Sequence, residues 1–331
     1  SKLLMIGIYL DASKKIGTGH LQRCLQIYKS YSPKKVFFLT RSLYLKKLFK
    51  RKKLPHYFVT EEKKLSKFLI SKKFKIIIFD IIKFDSFLSK IFFKGKKIIK
   101  IFRVVIANTL SMNVKPDLVI FPAVTRTQSK SKKIFIGEKY AVLPKLPKKK
   151  KIKNINNIMI SMGGSDPNKI TLKTLENLKE SNLVINLNIV IGSLSKIKNS
   201  EIEKILFRKK IKFSIFRNQK NLKKIMLDSD LLITNSGITK FEASLMRLPS
   251  IIIANDKETE NNQIAFAQKK TSIYLGHFKS KKIKKLVNVI ISLKKNIKKV
   301  LMMQKKCINF LDNKGALRIR QIIDKNFKKK Q

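Results

Sequence analysis

The chain alternates short apolar runs with longer amphipathic segments. Runs rich in Ile, Leu, Val and Phe predict buried strands, and segments with apolar residues three or four positions apart predict helices. The predicted strands are residues 3–10, 35–40, 75–79, 97–102, 118–121, 157–162, 187–191, 211–216, 231–234, 250–254 and 272–275. The predicted helices are residues 20–31, 42–52, 61–71, 85–93, 170–180, 200–207, 220–228, 238–246, 261–270, 281–310 and 316–328. Because strands and helices alternate throughout, the pattern predicts an α/β protein with parallel sheets and crossover helices.

The length of 331 residues predicts two domains. Pro144, Pro147 and a run of four lysines mark the connection between them. The predicted division is an amino-terminal Rossmann-like domain (1–146), a linker (147–156), a carboxyl-terminal Rossmann-like domain (157–312), and a final helix with a basic tail (313–331). We expect the carboxyl ends of both sheets to face a central cleft, because ligands bind at such ends.

The formal net charge of +56 changes this picture little. Ten of the 76 basic residues are arginine, and the lysines are spread over the whole length. Lys, Ile, Asn and Phe are abundant, glycines are few and tryptophan is absent. This composition is typical of an A+T-rich coding sequence. We therefore interpret the charge as solvated surface and expect no specific nucleic-acid partner. A polyanion-binding protein is the alternative that the charge alone suggests.

The two cysteines, Cys24 and Cys307, exclude a disulfide framework and favour a cytoplasmic location. No apolar run is long enough to predict a membrane span. The first residues form a strand-like run that does not resemble a signal peptide. We expect a monomer.

Five of the eleven glycines lie in three loops, each directly after a predicted strand. The first loop contains Gly17, Thr18 and Gly19, the second Gly163, Gly164 and Ser165, and the third Asn235, Ser236 and Gly237. Glycine lets the backbone approach a ligand closely, and the helix that follows offers unpaired N–H groups to an anion. Alone, each loop could be a simple turn. Together they predict a site for a phosphorylated or nucleotide-linked substrate.

Several polar residues adjoin these loops. His20 ends the first loop, where it is either a proton-transfer group or a helix-start residue satisfied by backbone. Asp11 could orient its imidazole or could be a turn residue. Asp80 and Asp85 follow the third predicted strand, and because no further ligand cluster joins them we expect no metal.

Further carboxylate and amide groups follow strands of the second half. Glu242 could accept hydrogen bonds from ribose hydroxyls or could be a favourable charge in the first turn of a helix. Asn262 and Gln263 are either ligand contacts or helix caps.

The chain resembles a known family at these residues. The run Asp-Ala-Ser-Lys-Lys-Ile-Gly-Thr-Gly-His-Leu-Gln-Arg-Cys-Leu at 11–25 resembles the opening motif of the UDP-2,4-diacetamido-2,4,6-trideoxy-β-L-altropyranose hydrolases of pseudaminic acid biosynthesis. Ile-Ser-Met-Gly-Gly-Ser-Asp at 160–166 resembles the central loop of that family. Segments 137–143, 229–249 and 312–318 also resemble it in order and spacing.

This resemblance implies a glycosyltransferase-B-like fold, a UDP-sugar substrate and no cofactor. It implies that His20 is the general base on a water molecule that attacks the anomeric carbon with inversion. Catalytic positions would be His20, Asp11 and Asp85. Substrate-binding positions would be Gly17, Thr18, Gly19, Arg23, Asp80, Gly163, Gly164, Ser165, Asn235, Ser236, Gly237, Glu242, Asn262 and Gln263.

Two positions depart from the family pattern. Ile82 stands where the family usually has a tyrosine, and Asn108-Thr109 stand where it tends to have paired aspartates. Both departures lie on the side of the sugar. They make transfer of the sugar to a glycan acceptor the alternative reaction.

Overall fold

A computed structural model describes residues 4–10, 19–31, 35–81, 83–94, 100–107, 112–207, 211–219 and 221–330. The chain divides into two compact units. Unit 1 contains residues 1–123, 127–144 and 313–331, and unit 2 contains residues 124–126 and 145–312. Each unit is a parallel sheet covered by helices, so the predicted pair of Rossmann-like folds is confirmed.

Unit 1 contains a seven-stranded sheet in the order β3-β2-β1-β4-β5-β6-β7, and every paired strand is parallel to its neighbour. Its strands are β1 (Met5–Leu10), β2 (Val36–Thr40), β3 (His56–Phe58), β4 (Phe74–Asp80), β5 (Phe102–Ile106), β6 (Leu118–Phe121) and β7 (Ile134–Ile136). Its first helices are α1 (Gly19–Ser30), α2 (Leu43–Arg51), α3 (Glu62–Ser71) and α4 (Ser86–Ser89), which continues as a π-helical turn over Lys90–Lys94. A 3₁₀ turn covers Glu138–Tyr140.

Alternate residues of the central strands point to opposite faces, and both faces are buried. Ile6 and Ile8 belong to the apolar cluster beneath α1 and α2. Ile77 and Phe79 belong to the cluster on the other face, beneath α3 and α4. Burial on both faces explains why these strands are almost continuously apolar in sequence.

Unit 2 contains a six-stranded parallel sheet in the order β10-β9-β8-β11-β12-β13. Its strands are β8 (Asn157–Ser161), β9 (Asn186–Ile191), β10 (Lys212–Arg217), β11 (Leu231–Thr234), β12 (Ser250–Ala254) and β13 (Ser272–His277). Its helices are α5 (Ile170–Lys179), α6 (Asn199–Leu206), α7 (Lys223–Asp228), α8 (Thr239–Met246), α9 (Glu260–Gln268), α10 (Leu286–Lys295) and α11 (Ile297–Lys306), with a 3₁₀ turn over Lys281–Lys285 before α10. Ile152 and Ile155, in the segment predicted as a linker, are buried in the core of this unit.

The last helix, α12 (Gly315–Lys328), belongs to unit 1. Its first residue, Gly315, lies so close to the chain that a Cβ there would be 2.0 Å from the carbonyl oxygen of Ala141. Further along, the guanidinium of Arg320 donates to the carbonyl of Ser30 at the end of α1. The close approach at Gly315 and this hydrogen bond therefore fix α12 against the rest of unit 1.

Two predicted elements were wrong, and two short strands were not predicted. The helix predicted over 281–310 is interrupted at Asn296, whose backbone is non-helical and whose side chain caps α11 by accepting from the N–H of Lys299. The strand predicted over 97–102 lies at Phe102–Ile106. Arg103 obscured it because a charged residue interrupts the apolar run, but its side chain pairs with Asp117. The short strands β3 and β7 were missed, since neither contains a fully buried residue.

Candidate functional site

The candidate residues follow strands at the point where each sheet reverses its strand order. In unit 1 this point is between β1 and β4, and in unit 2 it is between β8 and β11. At such a point neighbouring strands connect to helices on opposite faces, which leaves a crevice at the carboxyl edge where α/β proteins bind ligands. The second and third glycine loops follow β8 and β11 and therefore adjoin the crevice of unit 2, and α1, the helix after β1, begins beside that of unit 1.

In unit 1, His20 lies in the first turn of α1, beside the buried carboxylate of Asp80. Leu10 ends β1 and is paired with Asp80, which ends β4, so the sheet brings the start of α1 next to that carboxylate. The distance from His20 Nδ1 to Asp80 Oδ1 is 2.6 Å. Asp80 has no solvent exposure, whereas 16% of the His20 side chain is exposed.

The ionisation of Asp80 fixes the hydrogen-bonding role of His20. Burial acts to raise the pKa of Asp80, but the charge of Arg23 and the hydrogen bonds from Arg23 and His20 outweigh it and hold the pKa below its usual range. An ionised carboxylate only accepts hydrogen bonds, so Nδ1 of His20 carries the proton and donates it. The other ring nitrogen, Nε2, has no hydrogen-bond partner among the described residues. In the neutral imidazole, Nε2 is therefore an available proton acceptor.

Two further side chains hold Asp80 in place. Arg23, one turn after His20, donates from Nε to Oδ2 at 2.7 Å and from Nη2 to Oδ1 at 2.5 Å. The thiol of Cys24 lies 3.3 Å from Oδ2 and donates to it. Arg23 Nη2 is also 3.3 Å from His20 Nδ1, but both atoms carry protons, so this contact is not a hydrogen bond. Asp80 and Arg23, predicted to bind substrate, thus form the internal support of His20.

Several positions singled out in the sequence of unit 1 lie outside the described residues. They are Asp11, Gly17, Thr18, Ile82 and the pair Asn108-Thr109. Gly19 begins α1 directly before His20. The carboxylate that contacts the imidazole in the described part of the chain is that of Asp80, a role that the sequence had suggested for Asp11.

Asp85 follows β4 and caps α4. Its Oδ1 accepts from the N–H of Leu88, and its Oδ2 accepts from Arg41 at 2.5 Å. A cavity of about 540 Å³ lies beside it, with polar groups from Lys83, Ser86, Ser89 and Asn113. The Oγ atom of Ser89 is buried and has no hydrogen-bond partner in the described part of the chain. This part of unit 1 thus offers a cavity of ligand size with several polar residues in its lining.

In unit 2 the loop after β8 turns through Gly163, whose φ of +81° favours glycine. Asp166 then caps α5, because its two carboxylate oxygens accept from the N–H groups of Ile170 and Thr171. Gly164 and Ser165 lie between these two fixed points and are half-buried. The side chain of Asp166 thus turns inward, while the backbone of 163–165 forms the outer part of the loop.

Asn235 joins this loop to the one after β11. Its Nδ2 donates to the carbonyl of Met162 at 2.7 Å, and its Oδ1 accepts from the N–H of Gly237 at 3.0 Å. Ser236 lies between Asn235 and Gly237 in the chain, and its Oγ atom is buried and has no hydrogen-bond partner among the described residues. The structure therefore brings the second and third predicted loops together in one place.

Helix α8 begins directly after this junction and carries two ionisable groups, the buried Lys240 and the half-buried Glu242. Glu242, in its first turn, has no side-chain hydrogen bond or ion pair within the described ranges, and burial raises its pKa to about 7. Lys240 is 4% exposed. Burial lowers the pKa of Lys240 to about 7, although the charge of Asp256 acts in the opposite direction.

The two amides predicted as ligand contacts differ in position. Gln263 is buried in α9, where its Oε1 accepts from Lys240 Nζ and its Nε2 donates to the carbonyl of Thr259. Asn262 is half-buried, and its side chain is without a partner in the part of the chain that the structure describes. The side chain of Gln263 is therefore engaged within the protein, while that of Asn262 is available.

Sequence reasoning missed two residues of this site. A Cβ on Gly192, just after β9, would lie 2.4 Å from the carbonyl oxygen of Gly163 and 2.3 Å from that of Gly164. Its position after a predicted strand was a usable signal. Lys240 offered none, because one lysine among so many cannot be distinguished by composition.

The described residues contain no group of three or more His, Cys, Asp or Glu side chains placed to hold a metal ion. Across the same residues, every helix falls short of the length and apolar character needed to cross a bilayer.

Comparison with known families identifies the second half of the chain. The family "Glycosyltransferase family 28 C-terminal domain" matches residues 140–319, which is more than half of the sequence. The chain belongs to this family. The match includes the whole sheet of unit 2 and both of its candidate loops, whereas His20, Arg23 and Asp80 lie outside it.

Two curated proteins are similar over shorter stretches. An uncharacterised protein of Methanocaldococcus jannaschii is 35% identical over 122 residues, 36% of this chain and 25% of that protein. The spore coat polysaccharide biosynthesis protein SpsG of Bacillus subtilis is 24% identical over 130 residues, 38% of this chain and 37% of SpsG. The chain thus matches about a quarter of the length of the first relative and somewhat over a third of the second.

Solved structures match over nearly the full length. MurG of Acinetobacter baumannii has a TM-score of 0.71 at 13% identity, and the match covers 97% of this chain and 99% of the MurG chain. HepE of Anabaena, in complex with UDP-glucose, has a TM-score of 0.68 at 13% identity, and the match covers 98% of this chain and 100% of the HepE chain. These likenesses confirm the expected glycosyltransferase-B-like fold.

Proposed function

We propose that the protein is a nucleotide-sugar hydrolase. Its substrate would be a UDP-linked 2,4-diacetamido-2,4,6-trideoxyhexose, and its products UDP and the free sugar, in the biosynthesis of pseudaminic-type acids and surface glycans. The observation that carries this proposal is the hydrogen bond from His20 to the buried, ionised Asp80, which leaves Nε2 of the imidazole available. The resemblance of residues 11–25 to the hydrolase motif supports the same reaction.

The chemical step is a displacement at the anomeric carbon. Nε2 of His20 removes a proton from water while the water oxygen forms a bond to that carbon. The bond from the carbon to the oxygen of the β-phosphate breaks, and UDP departs with the electron pair. Attack from the face opposite to UDP inverts the configuration. Because water is a weak nucleophile, a positioned base contributes about 10²–10⁴-fold to the rate.

Unit 2 would bind the nucleotide. The backbone of Gly163, Gly164 and Ser165 and the first N–H groups of α8 would contact the diphosphate, with Ser236 Oγ as a further donor. Glu242, which lacks a partner among the described residues, would accept hydrogen bonds from the ribose hydroxyls. N–H groups held in place by the fold stabilise the charge that develops on the leaving diphosphate. The UDP-glucose in the HepE complex and the family of this chain support a nucleotide-sugar ligand.

The cavity beside Asp85 would suit the sugar. Its volume of about 540 Å³ is sufficient for a hexose with two acetamido groups. Asn113, Ser86 and Ser89 would supply the hydroxyl and amide groups that such a sugar can bond to.

Glycosyl transfer is the second candidate. The family match favours it, and so do Ile82 and Asn108-Thr109, which alter the positions that the hydrolase family uses on the side of the sugar. In that case an acceptor hydroxyl would replace water as the nucleophile, and His20 would remove its proton.

One assay distinguishes the two reactions. The purified protein is incubated with the UDP-linked diacetamido sugar, with and without candidate glycan acceptors, and UDP release is followed together with the anomeric NMR signals. We expect UDP release in acceptor-free buffer and a first product of inverted configuration. Release that requires an acceptor would overturn the hydrolase and favour the transferase.

A further inference from the structure

Lys240 is a buried cation that the reaction as described does not use. Its ammonium lies 2.7 Å from the carbonyl oxygen of Ser236 and 2.5 Å from Oε1 of Gln263. The rings of Phe241 and Phe266 each have their centre 5.3 Å from Nζ. Among the described residues no carboxylate lies within ion-pair distance.

Such an arrangement is costly for the fold on its own. Burying an ammonium without a carboxylate is unfavourable, and replacing buried ionic groups by apolar side chains of similar volume is often neutral or stabilising. Hydrogen bonds to a carbonyl and an amide, together with the two ring faces, offset only part of this cost. A buried lysine in this setting therefore indicates a role beyond packing.

The contacts of Lys240 determine what that role is. Its hydrogen bond to the carbonyl of Ser236 fixes that residue in the loop 235–237. The N–H of Gly237 donates to the side chain of Asn235 across the same loop. Its bond to Gln263 ties the same segment to α9. The lysine also adds a positive charge within the first turn of α8, where the N–H groups already favour an anion.

We propose that Lys240 is a positioning residue for the diphosphate: its ammonium fixes the loop 235–237 for contact with the phosphates, and their negative charge compensates for its burial. This inference rests on the proposed binding of a UDP-sugar by unit 2. In this role Lys240 affects binding of the phosphates and not of the uracil or ribose.

Binding of UDP and of uridine, each measured by calorimetry, tests this role. In Lys240→Met we expect the affinity for UDP to fall at least about tenfold, and the affinity for uridine to change less than about twofold. Uridine lacks the phosphates, so a general loss of structure would weaken both ligands together. Lys204→Met, which changes an exposed lysine on α6, is the matched control and should bind both ligands as the wild type does.

Each other result has a definite meaning. Equal weakening of both ligands, or no change in either, would overturn the inference while leaving the proposed function in place. A wild-type protein that binds no UDP would overturn both. If Lys240→Met does not fold, Lys240→Gln, which keeps an amide donor but no charge, is measured in the same way with the same expectation.

Discussion

The Nδ1 atom of His20 lies 2.6 Å from the Oδ1 atom of Asp80, although 60 positions separate the two residues in sequence. The parallel pairing of β1 with β4 brings them together, because Asp80 ends β4 and His20 lies in the first turn of the helix that follows β1. Arg23 then holds the carboxylate from the next turn of the same helix as His20. A base and its supporting carboxylate thus follow directly from the topology of the sheet.

Replacing Asp80 by Asn should reduce both turnover and stability. The amide cannot enforce a proton on Nδ1, so Nε2 loses its fixed role as acceptor, and we expect turnover to fall by about 10²-fold or more. The half-buried Arg23 would lose its counter-charge at a fully buried partner, which we expect to cost about 3 kcal/mol in the free energy of unfolding. Initial rates of UDP release and urea denaturation measure the two effects.

Asp117→Asn is the control for this variant. Asp117 accepts from the backbone and guanidinium of Arg103, so it forms a comparable ion pair in the same unit away from His20. We expect this change to lower stability and to leave turnover per folded molecule unchanged. Wild-type turnover in Asp80→Asn would show that the carboxylate does not support the base.

Replacing Gly192 by Ala should disturb nucleotide binding. The added Cβ would collide with the carbonyl oxygens of Gly163 and Gly164, so the loop after β8 must move. We expect UDP affinity to fall at least about tenfold, because loop N–H groups displaced from the phosphates lose charge-assisted hydrogen bonds. Gly315→Ala introduces a similar collision with Ala141 in unit 1 and should lower stability without changing UDP affinity. Equal UDP affinities in wild type and Gly192→Ala would exclude this loop from the binding site.

The buried Lys240 predicts that stability rises with pH above neutrality. The pKa of Lys240 is about 7 in the folded protein, against 10.5 for an ordinary lysine. Between these values the unfolded chain holds a proton that the folded protein has released, so raising the pH favours the folded state. The full shift corresponds to on the order of 5 kcal/mol. We therefore expect urea denaturation from pH 6 to 9.5 to show that Lys240→Met exceeds the wild type in free energy of unfolding most at low pH. A difference that does not vary with pH would contradict a lowered pKa of Lys240 in the folded protein.

Glu242 predicts the opposite slope at lower pH. Burial raises its pKa from 4.5 to about 7, so between these values the folded protein holds a proton that the unfolded chain has lost. Stability should therefore fall as the pH rises through this range, by on the order of 3 kcal/mol in all. Glu242→Gln cannot titrate, and denaturation curves for this variant should lack that fall. The same slope in the variant as in wild type would assign it to another group.

The sequence predicted the fold well, because both sheets are buried on both faces. Strands such as β11 and β12 are continuous apolar runs with the bounds that the pattern predicted. The errors arose where local signals were weak. Asn296 ends α10 and caps α11 without glycine or proline, and the three-residue edge strands β3 and β7 carry no buried pattern.

The candidate site was predictable only where glycines marked it. The loops of Gly163 and Gly237 were visible in sequence, but their connection through Asn235 depends on the strand order of unit 2. The partner of His20 could not be derived either, since it required knowing that β1 and β4 are neighbours. Lys240 became notable only through its burial.

The most direct test of the account is the rate of UDP release by His20→Ala from the UDP-linked diacetamido sugar in acceptor-free buffer, measured beside UDP affinity in the same preparation. Because His20 acts on water and not on the nucleotide, we predict a rate about 10²–10⁴-fold below wild type with UDP affinity unchanged. Release at the wild-type rate would contradict the assignment of His20 as the base.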